Sequence, residues 1–142
     1  MMIEDNKALA RRANGMWATG NRDVAEEVFT PQYVNHQASD VGGGHTGRTL
    51  EDWKTLVADY HAAFGESRTR VLMQIAEGDL VATRWEFTAT QTGTYLGHPP
   101  NGRTVTWTGV QIDRIEDGKI AESWVDWDMF RLFEELGLID RT

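Results

Sequence analysis

The chain has 142 residues, of which 14 are basic and 22 acidic, so its net charge is −8. That length suits one domain able to withdraw roughly 70% of its unfolded surface from water, and the acidic balance argues against nucleic-acid partners and anionic membrane surfaces, which select clustered Lys and Arg. With no cysteine, disulfides, thiolate nucleophiles and Cys-based zinc sites are excluded.

The first residues, MMIEDNKALARR, carry charges where a secretion signal needs an apolar run. No stretch approaches the ~20 apolar residues of a membrane span, so the expected location is the cytoplasm. No repeat or composition break divides the chain, and a single domain over residues 1–142 is expected. Residues 4–18 place Leu9, Ala13, Met16 and Trp17 at helical spacing. Asn21 is placed to cap a short second helix carrying Val24, Val28 and Phe29, which Pro31 ends. Tyr33–Gln37 reads as a short extended piece, and Ser39–Arg48, with Gly42, Gly43 and Gly44, as a loop. Thr49 and Asp52 have capping-box spacing ahead of a helix whose Leu50, Trp53, Val57, Tyr60 and Phe64 share one face. From Arg68 the pattern changes. Arg68–Ile75, Leu80–Gln91, Thr104–Ile115 and Ile120–Trp127 are rich in Val, Ile, Thr and Trp. Between them lie Glu77-Gly78-Asp79, Asn101-Gly102 and Asp117-Gly118, dipeptides that favour tight hairpins. Three helices followed by an antiparallel meander predict an α+β fold with helices on one face of a curved sheet. Asp128 ends the last strand, and Met129, Phe130, Leu132, Phe133 and Leu136 form a closing amphipathic turn or two, stopped by Gly137.

Strand alternation sorts the candidate residues. Ala82, Arg84, Glu86 and Thr88 share one face of their strand; Val81, Thr83, Trp85, Phe87 and Ala89 share the other. Val105, Trp107, Gly109, Gln111 and Asp113 fall on one face, as do Glu122, Trp124, Asp126 and Asp128 unless a bulge intervenes. Charge beside large aromatics suits neither a plain core nor a plain solvent face. It suits a concave sheet around an apolar pocket, where a carboxylate among Trp rings has a raised pKa and exchanges protons near neutral pH. Each candidate also has a structural reading: Asp128 as a helix cap, Arg84 and Glu86 as cross-strand ion pairs, His36 as a satisfied polar residue, the six Trp as core. His36, His45, His61 and His98 lack metal-ligand spacing, and Gly42–Gly44 lacks the lysine of a phosphate loop.

The run Gly97-His98-Pro99-Pro100-Asn101-Gly102-Arg103, then Val105-Thr106-Trp107-Thr108-Gly109-Val110, Asp117-Gly118-Lys119-Ile120, and Glu122-Ser123-Trp124 with Asp128 resembles the SnoaL-like polyketide cyclase family. Leu132–Gly137, Asn35-His36 and Tyr60–Phe64 are similar to it as well, so the likeness spans nearly the whole chain. The resemblance implies a cone-shaped α+β barrel of the NTF2-like superfamily, oligomeric through its sheet, with a cofactor-free pocket and no metal. It also implies an aspartate general acid/base on the last strand, matching Asp128, with Asp126 second. Arg84-Trp85-Glu86 with Asp128 resembles, in part, the Asp-Arg-Asp arrangement of limonene-epoxide hydrolases. Three functions follow as expectations: acid/base chemistry on a small apolar carbonyl compound by a lyase or isomerase, epoxide hydrolysis, or non-catalytic small-molecule binding or dimerisation. The expected catalytic residues are Asp128, His36, Arg84 and Glu86. The expected substrate-binding residues are Trp85, Trp107, Gln111, Trp124, Asn35 and His98, and the expected assembly is a homodimer, because apolar groups on the second sheet face exceed what the helices can cover.

Overall fold

A computed structural model describes residues 2–37 and 48–139. Helix α1 spans Met2–Thr19, α2 Ala25–Val28, strand β1 Phe29–Gln37, α3 Leu50–Ala63, β2 Phe64–Glu77, β3 Leu80–Gln91, β4 Thr104–Glu116, β5 Lys119–Trp127 and α4 Met129–Glu135. The five strands form one curved, unclosed sheet in the order β1-β5-β4-β3-β2. Helix α1 packs on β2 and β3, and α3 on β1 and β2. The result is an α+β cone whose concave face is covered by helices.

The helices follow from their sequences. In α1, Ala10, Ala13 and Met16 are buried along one stripe, and the two alanines let the helix lie close to the sheet. Helix α3 has the expected box: Thr49 Oγ1 accepts from Asp52 N at 3.2 Å and Asp52 Oδ2 accepts from Thr49 N at 3.1 Å. Its Trp53, Leu56 and Val57 are buried. The Asp117-Gly118 hairpin has both central residues at positive φ, 51° and 79°, the geometry that a two-residue turn between twisted strands requires. Among the described residues no helix is long and apolar enough to cross a membrane.

Several local readings are corrected. Asn21 caps no helix: its Oδ1 accepts from Asp23 N in a turn, and the N-cap of α2 is Val24, without a side-chain bond. Phe29 leaves the helix and starts β1, which pairs parallel with β5 at the sheet edge, so the sheet is mixed rather than wholly antiparallel and is not a closed barrel. Strand β2 begins at Phe64, earlier than Arg68, because Gly65–Ser67 is a bulge with Glu66 at φ 51° rather than a turn. Asn101-Gly102 belongs to a long connection, Thr92–Arg103, pinned by Gln91, whose Nε2 donates to the carbonyls of Gly93, His98 and Pro99. The loop Ser39–Gly47 lies outside the described residues; Arg48 pairs with Asn35 through both backbone groups.

Candidate active site

Three rows of inward side chains cross the concave face. The deepest joins Val81, Asp113, Ser123 and Asn35 across β3, β4, β5 and β1. Above it lie Thr83, Gln111, Val125 and Gln37, and above those Trp85, Gly109 and Trp127. A cavity opens over the upper rows, with about 510 Å³ of unfilled space, its mouth included. Its walls are Trp85, Phe87, Trp107 and Trp127 from the sheet, with Asn14 and Trp17 from α1 and Trp53 and Tyr60 from α3. The rings brace one another: Trp17 stands edge-on to Trp53 and Tyr60, at 5.9 and 5.8 Å between centroids, and Trp127 edge-on to Tyr60 at 6.1 Å. Gly109 lets the indoles of Trp85 and Trp127 close over the sheet, because a Cβ there would meet Trp85 Cζ2 at 2.3 Å and Trp127 Cβ at 2.8 Å.

Polar groups enter this aromatic space from the middle row. Gln111 Nε2 donates to Asp113 Oδ1 at 2.7 Å, and Ser123 Oγ donates to the same oxygen at 2.5 Å. Asn35 Nδ2 donates to Gln37 Oε1 at 3.3 Å. Asp113 is 1% exposed. Burial disfavours its charge and lifts its pKa to about 6, against the pull of the bonds from Gln111 and Ser123. Tyr33 is pushed well above the usual phenol range by burial and by the Asp113 charge. The indole N–H of Trp127 is buried with no hydrogen-bond partner among the described residues.

The candidates from the sequence divide between two faces. Trp85, Trp107 and Gln111 line the cavity, and Asn35 is fully buried in the row beneath it. His36 and Trp124 lie on the outer face, stacked at 5.5 Å. There His36 Nε2 meets Glu122 Oε2 at 2.8 Å, Arg114 Nε donates to Glu122 Oε1 at 3.2 Å, and these partners, His36 first, hold the Glu122 carboxyl below its usual range. Arg84 and Glu86 are also on the outer face, where Glu86 pairs with Arg70 at 3.2 Å. His98 is exposed in the β3–β4 connection, paired with Tyr95 through its backbone. Asp128 is exposed at the start of α4, its Oδ1 accepting from Arg131 N at 2.9 Å; Asp126 is exposed opposite Val110. Asp128, Arg84, Glu86 and His36 are thus not among the described lining residues. Charge and aromatics alternate on both faces, and parity alone does not say which face is concave.

Residues not chosen as site candidates from the sequence complete the cavity lining: Asn14, Trp17, Gln37, Trp53, Tyr60, Phe87, Val125 and Trp127, with Asp113 in the row beneath. The signal for Asp113 was its shared face with Trp107 and Gln111. Trp127 has the opposite parity to Trp124, the indole grouped with Asp126 and Asp128 by strand alternation. Among the described residues no group of three or more His, Cys, Asp or Glu is placed to hold a metal ion.

Among solved structures, AclR from Streptomyces galilaeus, a candidate hydroxylase, matches with a TM-score of 0.86 and 26% identity, over 99% of this chain and 85% of that one. IdmH from Streptomyces antibioticus, a candidate polyketide cyclase, matches with 0.77 and 28%, over 91% and 98%. TsrD from Streptomyces laurentii, at 21% identity, shares the fold with a TM-score of 0.82 over 96% and 97%. No curated protein matches the chain in sequence. The SnoaL-like polyketide cyclase model covers residues 7–136, taking in α3, the whole sheet and most of α1: this chain belongs to the SnoaL-like polyketide cyclase family.

Proposed function

We propose that the protein binds a small, flat, largely apolar carbonyl compound in the aromatic cavity and moves a proton at the carbon beside the carbonyl, without a cofactor. The observation that carries this reading is a cavity walled by Trp, Phe and Tyr, with its middle-row amide Gln111 bonded to a buried carboxylate. Asp113, one row beneath the lining and covered by the Gln111 amide, is the proposed proton-holding group: the Gln111 side chain swings aside to let the carboxylate reach the substrate, and burial sets its affinity for a proton near the working pH. The family relationship supports a polyketide-type substrate, and aldol-type closure or isomerisation is the matching reaction class.

A non-catalytic binding role is the second reading. It is favoured by the described lining residues, which include no carboxylate, histidine or lysine. Exchange of α-protons of 1-tetralone in D2O, followed by NMR, separates the two. Exchange faster than in buffer, and slowed about 10²–10⁴-fold in Asp113→Asn, supports the enzyme. Exchange at the buffer rate, for a ketone that quenches the protein's Trp fluorescence, supports the binder.

The assembly we propose is a homodimer through the outer sheet face. Ile75, Ala82, Ile112, Trp124 and His36 form one cross-strand row there, and Met73, Ile75, Val110, Ile112 and Trp124 are 38–63% exposed. A contiguous apolar row of this kind favours burial against a second copy. Light scattering that gave 16 kDa across micromolar concentrations would count against it.

A further inference from the structure

Gln37 and Gln111 stand on either side of Val125 in the same cross-strand row, and both line the cavity. Each is tethered from below, but by opposite ends of its amide. Gln37 uses its Oε1 to accept from Asn35, so its NH2 is the end left for the cavity. Gln111 uses Nε2 to donate to Asp113, so its Oε1 is the end left as an acceptor. A donor and an acceptor therefore face the same space from opposite sides, in an aromatic surrounding where an unmatched polar group is costly. We propose that this pair selects a neutral aromatic ketone that also carries a hydroxyl, Gln37 donating to the carbonyl and Gln111 accepting from the hydroxyl, with Asp113 as the positioning residue that fixes the Gln111 amide.

The proposal rests on the cavity being the ligand site. Charged ligands are disfavoured, because the described walls offer no counter-charge. The dependence on Asp113 follows from its protonation. An ionised carboxylate only accepts, which holds Gln111 with Nε2 toward it; a protonated one also donates, and lets the amide turn over. Among the described residues, Tyr33, from β1, is an ionisable group placed against Asp113, and burial keeps its phenol protonated. Ser123 from β5 and Gln111 from β4 are the described hydrogen-bond partners of Asp113 and do not titrate.

Two probes test this by quenching of Trp fluorescence: 7-hydroxy-1-tetralone, and 7-methoxy-1-tetralone, which keeps the carbonyl but has no donor. At pH 7.5 the wild type is expected to favour the hydroxy compound about tenfold, the worth of one hydrogen bond to a buried acceptor. Gln111→Leu should erase that preference while both compounds still bind. Gln37→Leu should weaken both by a similar factor. The wild-type preference should shrink between pH 7.5 and pH 5, and in Asp113→Asn it should be small and independent of pH, a readout that a merely structural carboxylate would not move. A wild type that binds both tetralones equally, or a preference that survives Gln111→Leu, overturns the amide pair and leaves the cavity as the ligand site. Failure of both compounds to bind overturns the cavity reading and the pair with it. Melting curves confirm folding of each variant, and Gln111→Met, which keeps the length but has no comparable acceptor, serves if the leucine variant does not fold and should likewise erase the preference.

Discussion

Replacing Asp113 with Asn removes a charge from the deepest row while keeping an oxygen for Gln111 and Ser123. The Asp113 carboxyl titrates at about 6 in the folded protein, against 3.8 as its ordinary value. Between those values the native state holds a proton that the unfolded chain has already lost, so the wild type loses stability as pH rises through this window. The loss is complete above the folded value. A shift of about two pKa units corresponds to ~3 kcal/mol. Asp113→Asn should therefore match the wild type near pH 4 and exceed it by up to about 3 kcal/mol at pH 8. Urea denaturation of both proteins from pH 4 to 8, at one fixed protomer concentration, measures the difference, and subtraction cancels the other titrating groups. A difference that stayed constant across that range would show that the carboxylate is not held in a desolvated site, and would remove it as the proton-holding group. A difference that grew as pH fell would mean that unrecognised cations stabilise the charge.

Gly109→Ala places a methyl 2.3 Å from Trp85 Cζ2, so the two indoles must part; a cost of ~1–3 kcal/mol and weakened tetralone binding are expected from urea melts and fluorescence titration. Asp128→Asn should change stability by only a few tenths of a kcal/mol, since Asn caps a helix nearly as well, and should leave ligand affinity and proton exchange at wild-type levels; an exchange rate lower by ~10²-fold or more would restore Asp128 as the base. Ile112→Lys, at the centre of the outer apolar row, should give a monomer by light scattering with thermal stability within about 0.5 kcal/mol of the wild type for the isolated subunit.

Local pattern carried most of the fold. The capping box of α3, the bounds of β3 and the Asp117-Gly118 hairpin all depend on neighbours in sequence, and each stands where it was read. The edge strand β1 did not, because its partner is β5, far along the chain, and a parallel pairing leaves no turn signal between its strands. The cavity lining was legible on β3 and β4, where Trp85, Trp107 and Gln111 have the parity of the apolar residues around them. On β5 it was not. Trp124 and Trp127 are both large and aromatic and of opposite parity, so the choice of Asp128 and Trp124 over Val125 and Trp127 turned on which face curves inward. Asp113 was passed over for a different reason: a buried carboxylate looks, in sequence, like any polar residue late in a strand, and only its distance from solvent raises its proton affinity.

The parallel seam between β1 and β5 also bears on the cavity, because Gln37 and Gln111 reach it from opposite sides of that seam. The β2–β3 and β4–β5 hairpins close two-residue turns and β3–β4 the longer Thr92–Arg103 connection, whereas β1 must find β5 across most of the chain, with the loop-closure entropy that long separations impose. Gln37 rides on that distant edge strand, while Gln111 sits in the antiparallel meander. A molecule gripped by both amides would tie the edge strand to the meander, and binding should appear as slower unfolding, with hydrogen-exchange protection rising most along Tyr33–Gln37. In kinetic terms an occupant of the cavity would act as a latch: bound only by the completed fold, it would hold the seam shut.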